Sequence, residues 1–375
     1  MNGPLDGARV VIVNNFPGPG LGGGEVQALA LGAGLMAAGA ELRAVVVEGS
    51  GFGAALRAMG VAVVEAEMSP SALGAGVKAI ARELEGPAPA IALGTGYWTN
   101  ILVRLAARGG AARVVNLVGV TPGASLTDGG SALGLAASGV VDRATASGVD
   151  AYVAVSHSIA AALIERGARA ERVHVIANGV DADKLVAASH GPLPAGVPEG
   201  RPLVVCVARL EPVKGVDVLV RATALLPGVV VAVAGDGPEE AALRELAAAL
   251  GVAGRVTFLG RVSPVAPLLA AADVVALPSR SEGMPIVALE AMALSRPVVA
   301  SRVGGVGEAV ADGKTGVLVA PNDPAALAAA LGRVTGDPSA AAAMGEAGEA
   351  RVAASFGSRT MADAYVALFA ELLGG

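Results

Sequence analysis

The chain has 375 residues, too many for one ordinary core, so two domains are expected, and 54% hydrophobic against 16% charged residues supply ample core material. A net charge of −6 and only 2% aromatic residues argue against a nucleic-acid partner, which needs a basic surface or stacking platforms. The single cysteine, Cys206, rules out an intrachain disulfide and a cysteine zinc cage, and fits a reducing compartment. No apolar run reaches the ~18 to 20 residues of a membrane span. The first residues carry no basic region and no small-residue cleavage site, so no signal peptide is expected. The expectation is a cytoplasmic protein, with peripheral membrane contact left open.

In chain order, short β-branched runs alternate with Ala/Leu-rich helical segments. The runs ARVVIVNN, ELRAVVVE, VAVVEA, AIALG, RVVNLVG and AYVAVS read as strands, and EVQALALGAGLMAAG, FGAALRAMG, Lys78 to Leu84 and TNILVRLAARGG as helices. That alternation predicts βαβ units on a parallel sheet buried on both faces. His190 to Arg201, Pro/Gly-rich and without periodicity, reads as a linker. The alternation then restarts, with strands PLVVCVARL, VVVAVAG, RVTFLG, DVVALPS and PVVAS interleaved with helices, and ends in a helical pattern at RTMADAYVALFAELLGG. The expected fold is α/β: two doubly wound Rossmann-like domains facing a central cleft, with ligands beyond the carboxyl ends of the strands. The boundaries are residues 1–190, a linker at 191–201, 202–355, and a final helix at 356–375 that crosses back to the first domain.

Several stretches carry chemistry. Gly18 to Gly23, GPGLGG, matches a dinucleotide fingerprint, but Asn14 to Pro17 intervene between strand and glycines and no well-placed acid follows. A ligand-free flexible turn is the bland reading. The favoured one is that Gly22, Gly23 and Gly24 let helix-start N–H groups approach a phosphate. Arg209 and Lys214, in RLEPVKG past a strand end, suit a diphosphate, the first as a fork and the second as a point charge. The alternative is a pair of solvated loop charges. GDGP, beginning at Gly235, is a turn that could also touch ligand. Backbone near Arg261 and Val262 could read a nucleobase edge. Glu282 and Glu290 in RSEGMPIVALEAMALSRP flank Pro285, which fits a helix's first turn and leaves Glu282 in the loop and Glu290 in the helix. Such carboxylates could hold sugar hydroxyls, hydrolyse a glycoside as an acid/base pair, or simply be solvated. Tyr97 and Trp98 form the sole aromatic pair, suited to stacking on an acceptor or to packing between domains.

Taken together, VIANGVDADKL, ARLEPVKGVDVLVRA, VAGDGPEEAALRELA, VTFLGRV and the run from ADVVALPSRSEGMPIVALEAMALSRPVVAS to TGVLV resemble the retaining glycosyltransferases of family 4, of GT-B fold. GGGEVQALALGAGLMAAG resembles that family's glycine-rich loop and first helix more loosely. The resemblance implies a nucleotide-diphosphate sugar as donor and a glycan, lipid or small-molecule acceptor. It implies that Arg209 and Lys214 hold the diphosphate, Glu290 the ribose, and Glu282 the transferred sugar, with backbone at Gly283, Met284, Pro285 and Ile286 nearby. It places Gly23 and Gly24 at the phosphate and Asn178 beside the site. Asp181-Ala182-Asp183 spells a metal-type D-x-D but coincides with the tail of the family's NGVD motif, so neither metal nor cofactor is expected. One departure stands out: where the family carries a His in the first domain, the slot reads Val118, with Asn116 as a nearby acceptor-side candidate. His157, His174 and His190 lie elsewhere. That departure leaves open a catalytically impaired binding protein of the same fold.

Overall fold

The computed structural model describes residues 3–120, 132–198 and 202–374. The chain divides into two compact units, residues 1–178 with 358–375, and residues 179–357. The first contains β1 (Arg9–Asn14), α1 (Gly23–Ala37), β2 (Glu41–Val46), α2 (Gly51–Ala58), β3 (Ala62–Glu65), α3 (Leu73–Leu84), β4 (Ala90–Gly94), α4 (Tyr97–Ala106), β5 (Arg113–Val118), α5 (Ala132–Thr145), β6 (Ala151–Ala154), α6 (His157–Glu165) and β7 (Val173–Val175). The second contains α7 (Ala182–Ser189), β8 (Leu203–Val207), α8 (Val216–Leu225), β9 (Val230–Ala234), α9 (Glu240–Ala249), β10 (Val256–Phe258), α10 (Ala266–Ala270), β11 (Val274–Leu277), α11 (Ile286–Ala293), β12 (Val298–Ser301), α12 (Val306–Ala309), β13 (Gly316–Val319), α13 (Pro324–Gly336) and α14 (Pro338–Ser355). The last helix, α15 (Ser358–Gly374), belongs to the first unit.

In the first unit seven parallel strands lie in the order β3-β2-β1-β4-β5-β6-β7. Val10 and Ile12 of β1 face a core shared with α1, α2 and α15, whereas Val11 and Val13 face one shared with α3 and α4. Both faces are covered, so the strand reads as an unbroken apolar run rather than an alternation. Helix α15 packs closely on α1: an added Cβ at Gly34 would stand 2.3 Å from the Ala362 Cβ. Met361, Tyr365, Leu368 and Phe369 of α15 are buried there. The Arg113 Nε also donates to the Leu372 carbonyl at 3.0 Å.

The second unit repeats the plan with six parallel strands, β10-β9-β8-β11-β12-β13. The division between units falls after Asn178, not at the Pro/Gly-rich stretch after His190. Helix α7 packs on α10 and α11, and a Cβ added at Gly191 would meet Pro267 at 3.3 Å. Proline and glycine mark a lack of regular structure at 191–198; they do not mark where packing changes hands. Among the described residues no helix is long and apolar enough to cross a membrane.

In each sheet the chain winds outward in one direction and then in the other. The reversals fall between β1 and β4 and between β8 and β11. A reversal separates the loops at two adjacent strand ends and opens a crevice there, the usual ligand position in such sheets.

Candidate functional site

The second unit's crevice is built by loops pressed together backbone to backbone. The loop after β8 ends in a single turn, Pro212–Lys214, stopped by Gly215 at φ 63°. A Cβ on Gly215 would lie 2.2 Å from the Pro278 carbonyl of the loop after β11. Gly235, after β9, has φ 141° and leaves only 1.8 Å between a would-be Cβ and the Ala208 carbonyl. Gly304, after β12, has φ 48° and stands the same 1.8 Å from the Glu282 carbonyl. These left-handed, crowded positions admit only glycine. They bring the loops after β8, β11 and β12 together around one glutamate, whose carboxylate receives groups from the first two.

That carboxylate is Glu282. Its Oε1 lies 2.7 Å from the Lys214 Nζ and accepts a hydrogen bond from the Ser279 Oγ, also at 2.7 Å. Ser279 is buried and both ionic partners are largely covered, so the contact is worth more than a surface pair. Lys214 is held in place by Arg280. The Arg280 backbone N–H donates to the Val213 carbonyl at 2.8 Å, its Nη1 to the Pro212 carbonyl, and its fork grips both oxygens of Asp217 at 2.8 and 2.9 Å. The Asp217 carboxylate in turn holds the Arg280 guanidinium above its ordinary pKa. Arg209, in contrast, is more than half exposed and rests on Glu211 at 2.8 Å.

Pro285 caps α11 from outside its first turn, and Gly283, Met284 and Pro285 are buried beneath the crevice, with Ile286 partly so. Glu290 lies within α11, half-buried, and burial alone pushes its carboxyl up to about 7. Arg261 is exposed and Val262 half-buried in the loop after β10. That loop meets the Gly235 turn through a 2.8 Å bond from the Gly235 N–H to the Gly260 carbonyl. Asp181 of the D-x-D triplet caps α7, accepting from the Lys184 N–H at 3.1 Å. That is an ordinary helix-capping role.

In the first unit Gly23 and Gly24 open α1, and a Cβ at Gly24 would meet nothing within 4 Å. Tyr97 and Trp98 head α4. The Trp98 indole N–H donates to the Met68 carbonyl at 2.6 Å, and its ring packs on the core under α3 and α4. Its packing is therefore within the first unit's own core. Asn116, offered above as an acceptor-side group, is 1% exposed inside β5. A polar residue in a central parallel strand points into the packing between sheet and helix. Val118 ends β5, His157 begins α6 and His174 lies in β7; His190 follows α7 in the second unit.

The structure thus joins Lys214 with Glu282, and the Gly235 turn with the strand end that carries Arg209. Ser279, Asp217 and Gly304 were not singled out in the sequence. The one available signal was the Gly-Gly pair at 304–305, and a chain with 53 glycines hides it.

Two family models match the chain: "Glycosyl transferases group 1" over residues 194–351 and "Glycosyl transferase 4-like domain" over residues 22–179. The chain belongs to this glycosyltransferase family. Among curated relatives, the GDP-mannose-dependent alpha-(1-6)-phosphatidylinositol monomannoside mannosyltransferase of Mycolicibacterium smegmatis is 43% identical over 47% of this chain and 48% of its own. The D-inositol 3-phosphate glycosyltransferase of Nocardia farcinica is 41% identical over 50% and 45%. The match therefore spans about half the length of these relatives. Among solved structures, sucrose-phosphate synthase of Thermosynechococcus elongatus superposes with a TM-score of 0.83 at 24% identity, covering 98% of this chain and 99% of that one. Anabaena HepE, solved with UDP, gives 0.79 at 22%, covering 97% and 100%. At such identities the likeness concerns the fold, which is GT-B.

Proposed function

We propose that the protein is a metal-independent, retaining glycosyltransferase that takes a sugar from a nucleotide diphosphate. The observation that carries this reading is the convergence of three strand-end loops on the Lys214–Glu282 pair at the β8/β11 reversal, in a chain of glycosyltransferase family. Arg209 and Lys214 offset the charge that develops on the departing diphosphate, where preorganised cations act most strongly. Glu282 accepts from hydroxyls of the transferred sugar, and Glu290 from the ribose. Gly23 and Gly24 offer backbone amides to a phosphate. In the reaction the acceptor oxygen bonds to the anomeric carbon on the face from which the diphosphate leaves. The carbon–oxygen bond to the diphosphate breaks, and that oxygen takes the acceptor's proton. The name of the first relative favours a guanosine donor, and both names favour an inositol-containing acceptor.

The test begins with thermal shifts for guanosine, uridine and adenosine diphosphates and their sugars, since the best ligand stabilises most at equal concentration. Nucleotide release is then followed with inositol phosphate as acceptor. Lys214→Ala should lower turnover at least about a hundredfold with an unchanged circular dichroism spectrum; full activity in that variant refutes the role given to Lys214. Val118, at the position where the family's His is expected, motivates a second reading, a nucleotide-sugar binding protein without turnover. Tight donor binding with no release under any acceptor would favour it.

A further inference from the structure

Glu25 is the least expected group in the first unit: a carboxylate only 8% exposed, in the first turn of α1, with no cation paired to it among the described residues. Both of its oxygens are used. Oε1 accepts from the Asn14 Nδ2 at 3.0 Å, and Oε2 accepts from the Gly22 N–H at 3.0 Å. Asn14, itself 6% exposed, ends β1. Its Nδ2 also donates to the Thr95 Oγ1 at 3.1 Å, just past β4, and its Oδ1 accepts from the Phe16 N–H at 2.9 Å. The Thr95 hydroxyl donates onward to the Val13 carbonyl at 3.0 Å. One buried network therefore ties together the two strand ends at the β1/β4 reversal, the chain leaving β1, and the start of the glycine loop. Gly22 is moulded to it, because a Cβ there would lie 2.7 Å from the Glu25 Oε2.

A helix could cap its first turn with an exposed serine or aspartate at little cost. Burying a carboxylate instead carries a desolvation penalty that is tolerable only when every acceptor is satisfied. In exchange the loop gains a single backbone conformation. We propose that Glu25 and Asn14 form a positioning pair that fixes the backbone amides of the Gly22–Gly24 loop for a phosphate of the sugar donor. The inference rests on the function proposed above. Neither side chain touches substrate; both act through the loop.

The orientation of the pair makes an exchange possible. Glu25→Gln places an amide where an acceptor is required, so one of the two bonds opposes donor to donor. Asn14→Asp faces two carboxylates. In the double variant Asn14→Asp with Glu25→Gln the new amide donates to the new carboxylate, the oxygen of that same amide still accepts from the Gly22 N–H, and the Thr95 hydroxyl, which accepted from Asn14, turns its proton from the Val13 carbonyl to the new carboxylate.

Two readouts on the full chain decide the matter. Amide hydrogen exchange over residues 20–26 should accelerate at least tenfold in each single variant and return to within threefold of the parent in the double variant. With the best nucleotide sugar, kcat should fall at least tenfold in each single variant, and KM for the acceptor should hold within threefold. The double variant should recover kcat. Unchanged exchange in the single variants overturns the positioning role. So does a double variant as fast in exchange, and as slow in turnover, as the singles, which is what a merely structural burden would give. A parent protein inactive with every donor refutes the proposed function, and the exchange arm still decides whether the pair sets the loop. If either single variant misfolds, Thr95→Val, which removes one acceptor of Asn14 together with the donor to the Val13 carbonyl, should accelerate exchange in the same segment by a smaller factor; no acceleration overturns the inference.

Discussion

Replacing Glu290 by Gln separates the cost of its burial from everything else in α11. Gln matches the protonated carboxyl in shape and never ionises. The carboxyl has an ordinary value of 4.5, and burial pushes it up to about 7 in the folded protein. The native state therefore holds a proton that the unfolded chain releases, and stability falls as pH rises between those two values. Linkage puts the penalty at about 1 kcal/mol at pH 5 and about 3 kcal/mol at pH 8, where it has levelled off. Glu290 is half-buried, so solvent trims both figures. At roughly 2–4 °C per kcal/mol for a domain of this size, the Gln variant should melt above the parent by up to about 6–12 °C at pH 8 and by up to about 2–4 °C at pH 5. Scanning calorimetry of both proteins at constant ionic strength from pH 5 to pH 8, following the transition of the second unit, measures the difference directly. A gap that stays constant across the range, or that widens toward acid, refutes the argument from burial.

Three further outcomes follow from the geometry. Gly304→Ala sets a Cβ against the Glu282 carbonyl at a positive φ and should cost at least about 2 kcal/mol in denaturant unfolding, with turnover lost alongside. Ser279→Ala removes one of two donors to the Glu282 Oε1 and should cost about 1.5–3 kcal/mol; a stability equal to the parent's would mean that Lys214 alone satisfies that oxygen. Trp98→Phe forfeits the bond to the Met68 carbonyl, at about 1 kcal/mol in the first unit's transition. Its acceptor KM should stay put, whereas a large rise in KM would return Trp98 to the acceptor side.

The strands were legible because a parallel sheet buried on both faces demands unbroken runs of Val, Ile and Ala, and PLVVCVA or VVVAVA can be little else. Helix α14 was not legible. Its sequence, PSAAAAMGEAGEARVAAS, carries no apolar stripe, and only Pro338 behind the capping side chain of Asp337 signalled its start. The boundary between units was misplaced for a similar reason: composition at 191–201 reports local irregularity, whereas the units are decided by what α7 packs on. The candidate site was half legible. Lys214 and Glu282 could be read from their motifs, but they stand 68 positions apart in sequence, and their contact depends on glycines that allow two loops to touch. The Glu25 network was invisible, since no spacing rule links Asn14 and Thr95 to the first turn of α1.

The placement of α15 has a consequence for how the chain is made. The first 178 residues belong to a unit whose core is completed only by residues 358–375. A ribosome adding about 5–20 residues per second leaves an interval of roughly 9–36 s between the two. Throughout it Leu31 and Leu35 lack the cover of Tyr365, Leu368 and Phe369. The second unit, continuous in the chain, can finish folding while the first still waits. The unit synthesised first is thus the last to close, and during that interval its open helix face is what a chaperone would meet.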